Sequence, residues 1–259
     1  MTVRESLGYG LMGFGPALSM FTLTIARHPS RVVVLLVSSF SWLLSLLLSS
    51  IAWSVLSPLG LPLVAGMAVA VLFQEGARLA TLHALRKVDR ALKLAALAGG
   101  VQLARSRAAL AYASGLGFGI ASGACSLLNA LADVAEARMP RGAQGYVESA
   151  PDSFFLMSAL TTGVLTVLHS LWSVVAFQAL CFQSTALVAF APAAHLFASG
   201  ATLLYSRGQL VVPLAAIAGL LFLTAAVAFV VTGGRTGHTW SRQLELSRSD
   251  GSLEGSEDD

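Results

Sequence analysis

Four ionisable side chains sit inside apolar stretches of this 259-residue chain: Glu75 and Arg78 in "FQEGAR", His169 in "TVLHSLW" and His195 in "APAAHLF". Within a segment that crosses a bilayer, such a residue is costly and marks a functional contact by default. Glu75 and Arg78 are three residues apart, so they share one helix face and can neutralise each other, with Gln74 adding hydrogen-bonding capacity. One use is a polar contact with another helix or a proton path. The plainer one is an ion pair near the cytosolic end of its span, with Arg78 reaching toward the interface. His169 and His195 fall near the middles of successive apolar segments. Metal binding would need further ligands, and no nearby Cys, Asp or Glu has the spacing. A buried polar tie between helices is the better reading, and neither metal nor other cofactor is expected.

The same residues can be tested for intramembrane hydrolysis. An aspartyl protease needs two aspartates sharing a proton. The aspartates here (Asp89, Asp133, Asp152, Asp250, Asp258 and Asp259) all fall outside the apolar stretches. The HExxH of a zinc protease is absent. A rhomboid-type serine protease would use Gly-x-Ser-Gly with a histidine on a later span; here "IASG" puts Ile120 in place of the first glycine. Ser122 and His169 remain a superficial Ser/His pair, with Ser122 in mid-helix, where serine commonly serves packing.

The elements that must position these residues belong to a membrane protein. The chain is 56% hydrophobic and 11% charged, with mean hydropathy +0.75, against about 25% charged residues in soluble domains. Cys125 and Cys181 lie in apolar runs and offer no disulfide framework. The expectation is an all-α bundle of seven membrane helices, at roughly 6–26, 32–56, 61–85, 108–132, 154–180, 182–205 and 210–232, each meeting the length a hydrocarbon core requires. The fifth and sixth are parted only by the uncharged "CFQST", which makes six spans the alternative count. The first segment has a weak positive leader and is longer than a signal-peptide core, so it reads as a retained span.

Lys and Arg set the orientation. Arg27, Arg31, Arg86, Lys87, Arg90, Lys93, Arg105, Arg107, Arg235, Arg242 and Arg248 would fall on one side, against Arg4, Arg138, Arg141 and Arg207 on the other. The richer side is cytosolic, which leaves the N-terminus lumenal or extracellular and the C-terminus cytosolic. Residues 1–232 form the membrane domain. Residues 233–259, rich in Ser, Gly and acid and ending "EGSEDD", carry too little apolar surface to fold and are expected to be a disordered cytosolic tail. The lumenal link Asp133–Asp152 is acidic, and the one asparagine, Asn129, is not in a glycosylation sequon.

Span 4 contains "SGLGFGIASG", in which Gly115, Gly119 and Gly123 are spaced four apart. At 3.6 residues per turn such positions drift slowly around the helix and leave a flat strip. A neighbouring helix can approach its backbone closely, gaining dispersion and weak Cα–H···O contacts. Ser122, Ser126 and Asn129 supply polar contacts beside or beyond the strip. The spacing does not tell whether the neighbour belongs to this chain or another.

Taken in order, "GFGPALSMFTLTIA", "FSWLLSLLLSSIAW", "FQEGARLA", "AYASGLGFGIASG", "DSFFLMSALTTGVLTVLHSLW" and "HLFASGATL" resemble the anterior-pharynx-defective (Aph) subunit of gamma-secretase over roughly residues 8–232. The most specific pieces are "YASGLGFGIASG" and the two histidine contexts. The link after span 3 and the acidic tail take no part in the resemblance. It implies a seven-span, non-catalytic scaffold with a lumenal N-terminus, in the topology that the charges give independently. It also implies that Gly115, Gly119 and Gly123 support assembly, and that His169 and His195 serve complex assembly and activity. The implied partners are presenilin, which holds the catalytic aspartates, nicastrin and the presenilin enhancer subunit. The implied complex processes single-span stubs, including Notch-type receptors and amyloid-precursor-like proteins. The implied setting is the endoplasmic reticulum, Golgi, endosome and plasma membrane, among membrane lipid and without nucleic acid. The competing readings are a seven-span receptor or small transporter, although the Asp-Arg-Tyr and Asn-Pro-x-x-Tyr signatures of rhodopsin-like receptors are absent, and a Ser/His hydrolase.

Overall fold

The computed structural model describes residues 3–98, 107–135, 151–207, 209 and 211–233. Among these the chain is all-α. The helices are α1 (Val3–Met20), α2 (Pro29–Leu56), α3 (Leu63–Ala98), α4 (Arg107–Ala135), α5 (Pro151–Phe182), α6 (Thr185–Thr202) and α7 (Val211–Val231). The acidic tail, most of the lumenal link and residues 99–106 of the basic link lie outside the described residues, as does the side chain of Asn129 on α4.

Local chemistry sets several boundaries. A π-helical turn, Phe21–Ile25, continues α1, and Arg31 Nη1 donates to the carbonyl of Thr24 within it (2.6 Å). Pro29 opens α2 after an extended His28, where its missing N–H costs nothing. Between α5 and α6 the backbone turns at Gln183, with φ of 54°, and the Ser184 side chain caps α6 by accepting from Leu187 N. The polar dip thus separates two helices. By contrast, α3 does not end with its apolar run. It continues to Ala98 through Arg86, Lys87, Arg90 and Lys93, because "HALRKVDRALKLAALA" is rich in strong helix formers. Arg86, expected in a link, lies on α3 and donates to the carbonyl of Leu180 near the end of α5.

Among the described residues five segments are long and apolar enough to cross a membrane: Pro29–Leu59, Ala108–Leu127, Phe155–Phe182, Thr185–Tyr205 and Val211–Val231. α1 carries Arg4, Glu5, several glycines and Pro16, while α3 carries Gln74, Glu75 and Arg78 in its midst. The outer surface is strongly apolar. Val33, Phe40, Ile51 and Val55 of α2 and Val211, Phe222 and Phe229 of α7 are exposed, a surface that lipid tolerates and water does not.

α5 is the hub and packs against α1, α3, α4, α6 and α7. α4 lies between α5 and α2 and uses a different set of small residues for each. Toward α5, a Cβ added at Gly115 would stand 2.6 Å from His169 O and from Ser170 Cα. One added at Gly119 would stand 2.7 Å from Thr166 O, and one at Gly123 3.0 Å from Thr162 Cγ2. The stripe's neighbour is therefore within this chain, and the pairing runs antiparallel. Toward α2, Gly117 lies against the Leu35 carbonyl, Ser39 Oγ donates to Gly117 O (2.9 Å), and Ser38 Oγ donates to Ser114 Oγ (2.8 Å). Gly117 points away from the stripe because two residues turn a helix by about 200°.

Gly117→Ala is expected to destabilise the chain by about 1–3 kcal/mol, because the methyl meets backbone that cannot rotate aside. Gly76 has open space within 4 Å, so Gly76→Ala is expected to be neutral or mildly stabilising through helix propensity. Thermal unfolding followed by helical circular dichroism in detergent compares them. Equal melting temperatures would contradict the assignment of the α2–α4 seam.

Candidate functional site: a buried guanidinium cluster

Glu75 and Arg78 project from one face of α3 into the bundle, where α5 presents His169 and Ser173 and α6 presents His195. Arg78 is fully enclosed, with 0% exposure, and Glu75 is 3% exposed. The expected reach of Arg78 toward the interface is thereby corrected. The guanidinium turns inward because only there does it meet enough acceptors.

Arginine has five N–H donors in a rigid fork and no acceptor. All five find partners. Nε donates to Glu75 Oε2 (3.0 Å) and Nη2 to Glu75 Oε1 (3.1 Å), a bidentate pair. Nη2 also donates to His169 Nδ1 (2.7 Å). Nη1 donates to His169 O (3.0 Å) and to Ser173 Oγ (2.6 Å), acceptors one helical turn apart on α5. The guanidinium carbon lies over two aromatic rings, 4.9 Å from the Phe118 centroid of α4 and 5.9 Å from that of Trp172.

These contacts assign different roles to the two histidines. Arg78 can only donate, so His169 Nδ1 must accept, and a neutral His169 carries its proton on Nε2. The Glu75 carboxylate accepts, so His195 Nδ1 donates to Oε1 (2.7 Å). The rings meet edge to face at a centroid separation of 5.0 Å, and Trp172 stacks on His195 at 4.9 Å. The Trp172 N–H has no acceptor among the described residues, so its contribution is the face of its ring. One network joins α3, α4, α5 and α6.

Arg78 uses all its donors within the chain, leaving none for a ligand. His169 Nδ1 is engaged by Arg78, and among the described residues it makes no hydrogen bond with Ser122, so the Ser/His pair lacks the contact a nucleophile requires. Among the described residues no three of His, Cys, Asp or Glu cluster closely enough to hold a metal. Sequence reasoning singled out Glu75, Arg78, His169 and His195 but missed Ser173, Trp172 and Phe118. Ser173 and Trp172 are four and three residues after His169, the spacing of a shared helix face, and that was the available signal.

Comparison with known proteins places the chain in a family. The family described as Aph-1 protein matches residues 4–235. The chain is 36% identical over 234 residues to "Gamma-secretase subunit Aph-1" of Drosophila melanogaster, covering 90% of this chain and 95% of that one. It is 34% identical over 243 residues to "Gamma-secretase subunit APH-1B" of Homo sapiens, covering 90% and 91%. It is 30% identical over 257 residues to "Gamma-secretase subunit APH1-like" of Arabidopsis thaliana, covering 95% and 96%.

Arg78→Lys is expected to be a poor replacement despite keeping the charge, since three donors cannot serve five acceptors. Each buried acceptor left bare costs about 1–3 kcal/mol. Arg78→Met, which strands Glu75, is expected to cost about 3–5 kcal/mol, and pairing it with Glu75→Gln should recover part of that loss. Thermal unfolding of the wild type, Arg78→Lys, Arg78→Met, Glu75→Gln alone and the Arg78→Met, Glu75→Gln pair checks this; strictly additive losses would mean that the two side chains do not act as a pair.

Proposed function

The chain belongs to the Aph-1 family, and on that premise we propose that it is a non-catalytic scaffold subunit of a gamma-secretase complex. Similarity along nearly the whole chain to proteins named as gamma-secretase subunits carries the reading. The site supports it: the buried polar residues satisfy one another, and the aspartates an intramembrane aspartyl protease needs fall outside the apolar segments.

In this reading α1 and α3 cross the bilayer with the five strongly apolar segments, giving seven spans. The N-terminus is lumenal or extracellular and the C-terminus cytosolic, in accord with the distribution of Lys and Arg. Residues 1–232 are the membrane domain, and 233–259 are a cytosolic tail. The partners are a presenilin-type subunit bearing the catalytic aspartates, nicastrin and the presenilin enhancer subunit. The complex cleaves single-span stubs, including Notch-type and amyloid-precursor-like proteins, along the route from endoplasmic reticulum and Golgi to endosome and plasma membrane. Gly115, Gly119 and Gly123 serve assembly by holding α4 on α5. His169, His195, Glu75 and Arg78 serve it by fixing α3 and α6 on the same helix.

Affinity isolation in mild detergent, with identification of the associated chains, tests the assignment. A presenilin-type aspartyl protease should co-isolate; a chain that never recovers one is not this subunit. His169→Ala should lower recovery of the complex more than Arg207→Ala, because His169 is within the bundle and Arg207 in a link. Gly119→Leu should lower it too, through the α4–α5 seam. Equal recovery across these variants would remove the role given to the interior.

A further inference from the structure

The glycine stripe and the guanidinium cluster look like separate features along the chain, but they converge on the same atoms. A Cβ added at Gly115 would stand 2.6 Å from His169 O and 2.8 Å from Ser173 Cβ. His169 O and Ser173 Oγ are the two acceptors of Arg78 Nη1. Three residues beyond Gly115, Phe118 lies against the guanidinium face. α4 therefore supplies both the gap that lets these acceptors approach and an aromatic surface on which the guanidinium rests.

We propose that Gly115 is a positioning residue for the Arg78 site, so that the α4–α5 seam and the intramembrane charges act as one unit. The His169 carbonyl belongs to the helical backbone of α5 and cannot rotate away from an added methyl. Relief requires α4 and α5 to part around residues 115 and 169–173, which displaces His169 O, Ser173 Oγ and His169 Nδ1, or the Phe118 ring of α4, relative to Arg78. Hydrogen bonds weaken steeply as distance and angle depart from their optima, so a small shift suffices. Gly119 is one turn farther along. Its added Cβ would be almost equally crowded, 2.7 Å from Thr166 O and 2.9 Å from Thr166 Cα, but Thr166 bonds to Gly119 O and Thr162 O rather than to Arg78. Gly115 and Gly119 thus differ in consequence although they are alike in clearance. The proposal concerns the chain's own interior and stands or falls independently of the complex proposed above.

The test uses the full chain in lipid nanodiscs with 15N-labelled histidine, the His169 ring signals being assigned by their loss in His169→Asn. Gly115→Ala should move the His169 Nδ1 resonance away from its hydrogen-bonded position, and Gly119→Ala should move it less. Folded yield provides a second measurement that does not depend on a spectrum. Gly115→Ala should give a lower yield than Gly119→Ala, and the difference should vanish when both are made in the Glu75→Gln, Arg78→Met background. Equal resonance shifts, or a difference in yield that persists without the cluster, would overturn the proposal.

Discussion

A guanidinium enclosed in an apolar bundle is tolerable only when every one of its donors has an acceptor, and that requirement organises this fold. Arg78 meets it with a carboxylate on its own helix and with a ring nitrogen, a backbone carbonyl and a hydroxyl on α5. The carboxylate in turn needs the His195 N–H of α6. Satisfying one side chain therefore fixes the relative placement of three helices. Removing one member strands the others, whereas apolar residues of similar volume in place of the whole network would fill the space at comparable energy.

The apolar contacts serve the same end. α4 has glycine on two faces, so that α5 and α2 both approach its backbone, and between those faces Phe118 packs beneath Arg78. A stripe of larger residues would separate α4 from α5 by side-chain diameters, and the acceptors on α5 would meet the guanidinium in a different place. Close packing and polar satisfaction are here two descriptions of one geometry. Both are tightest around residues 115 and 169, and the seam loosens toward Gly123, whose neighbours are side-chain atoms of Thr162 and Thr166.

Much of this was legible in the sequence because the relevant signals are periodic. Apolar runs marked helices, the spacing of Glu75 and Arg78 placed them on one face, and a four-residue interval exposed the glycine stripe. What was not legible depended on tertiary partners. Whether Arg78 turns toward an interface or inward depends on acceptors on α5, 91 and 95 residues away in sequence. Gly117 was missed because it stands alone on its face, and Ser173 and Phe118 because a serine and a phenylalanine in an apolar helix resemble ordinary packing. The extension of α3 to Ala98 follows local helix propensity, whereas a span estimate follows hydropathy, and the two part company where basic residues begin. Glycine and charge dilute the apolar character of α1 and α3, yet both pack into the bundle.

The location of these groups bears on how a scaffold would recruit its partners. The charges, the histidines and the glycine stripe are turned inward and engaged with one another, while the outward faces of α2 and α7 carry large apolar side chains. In a membrane, apolar surface gains nothing from leaving lipid for another helix unless the shapes fit closely. The contribution of the interior to assembly is then indirect: it makes the bundle rigid enough to present one outer shape. A substitution at His169 or Gly119 would act on a partner it never touches, by altering how α3, α4 and α6 sit on α5. That is a different fault from a damaged docking surface, because it changes the isolated chain before any partner is present.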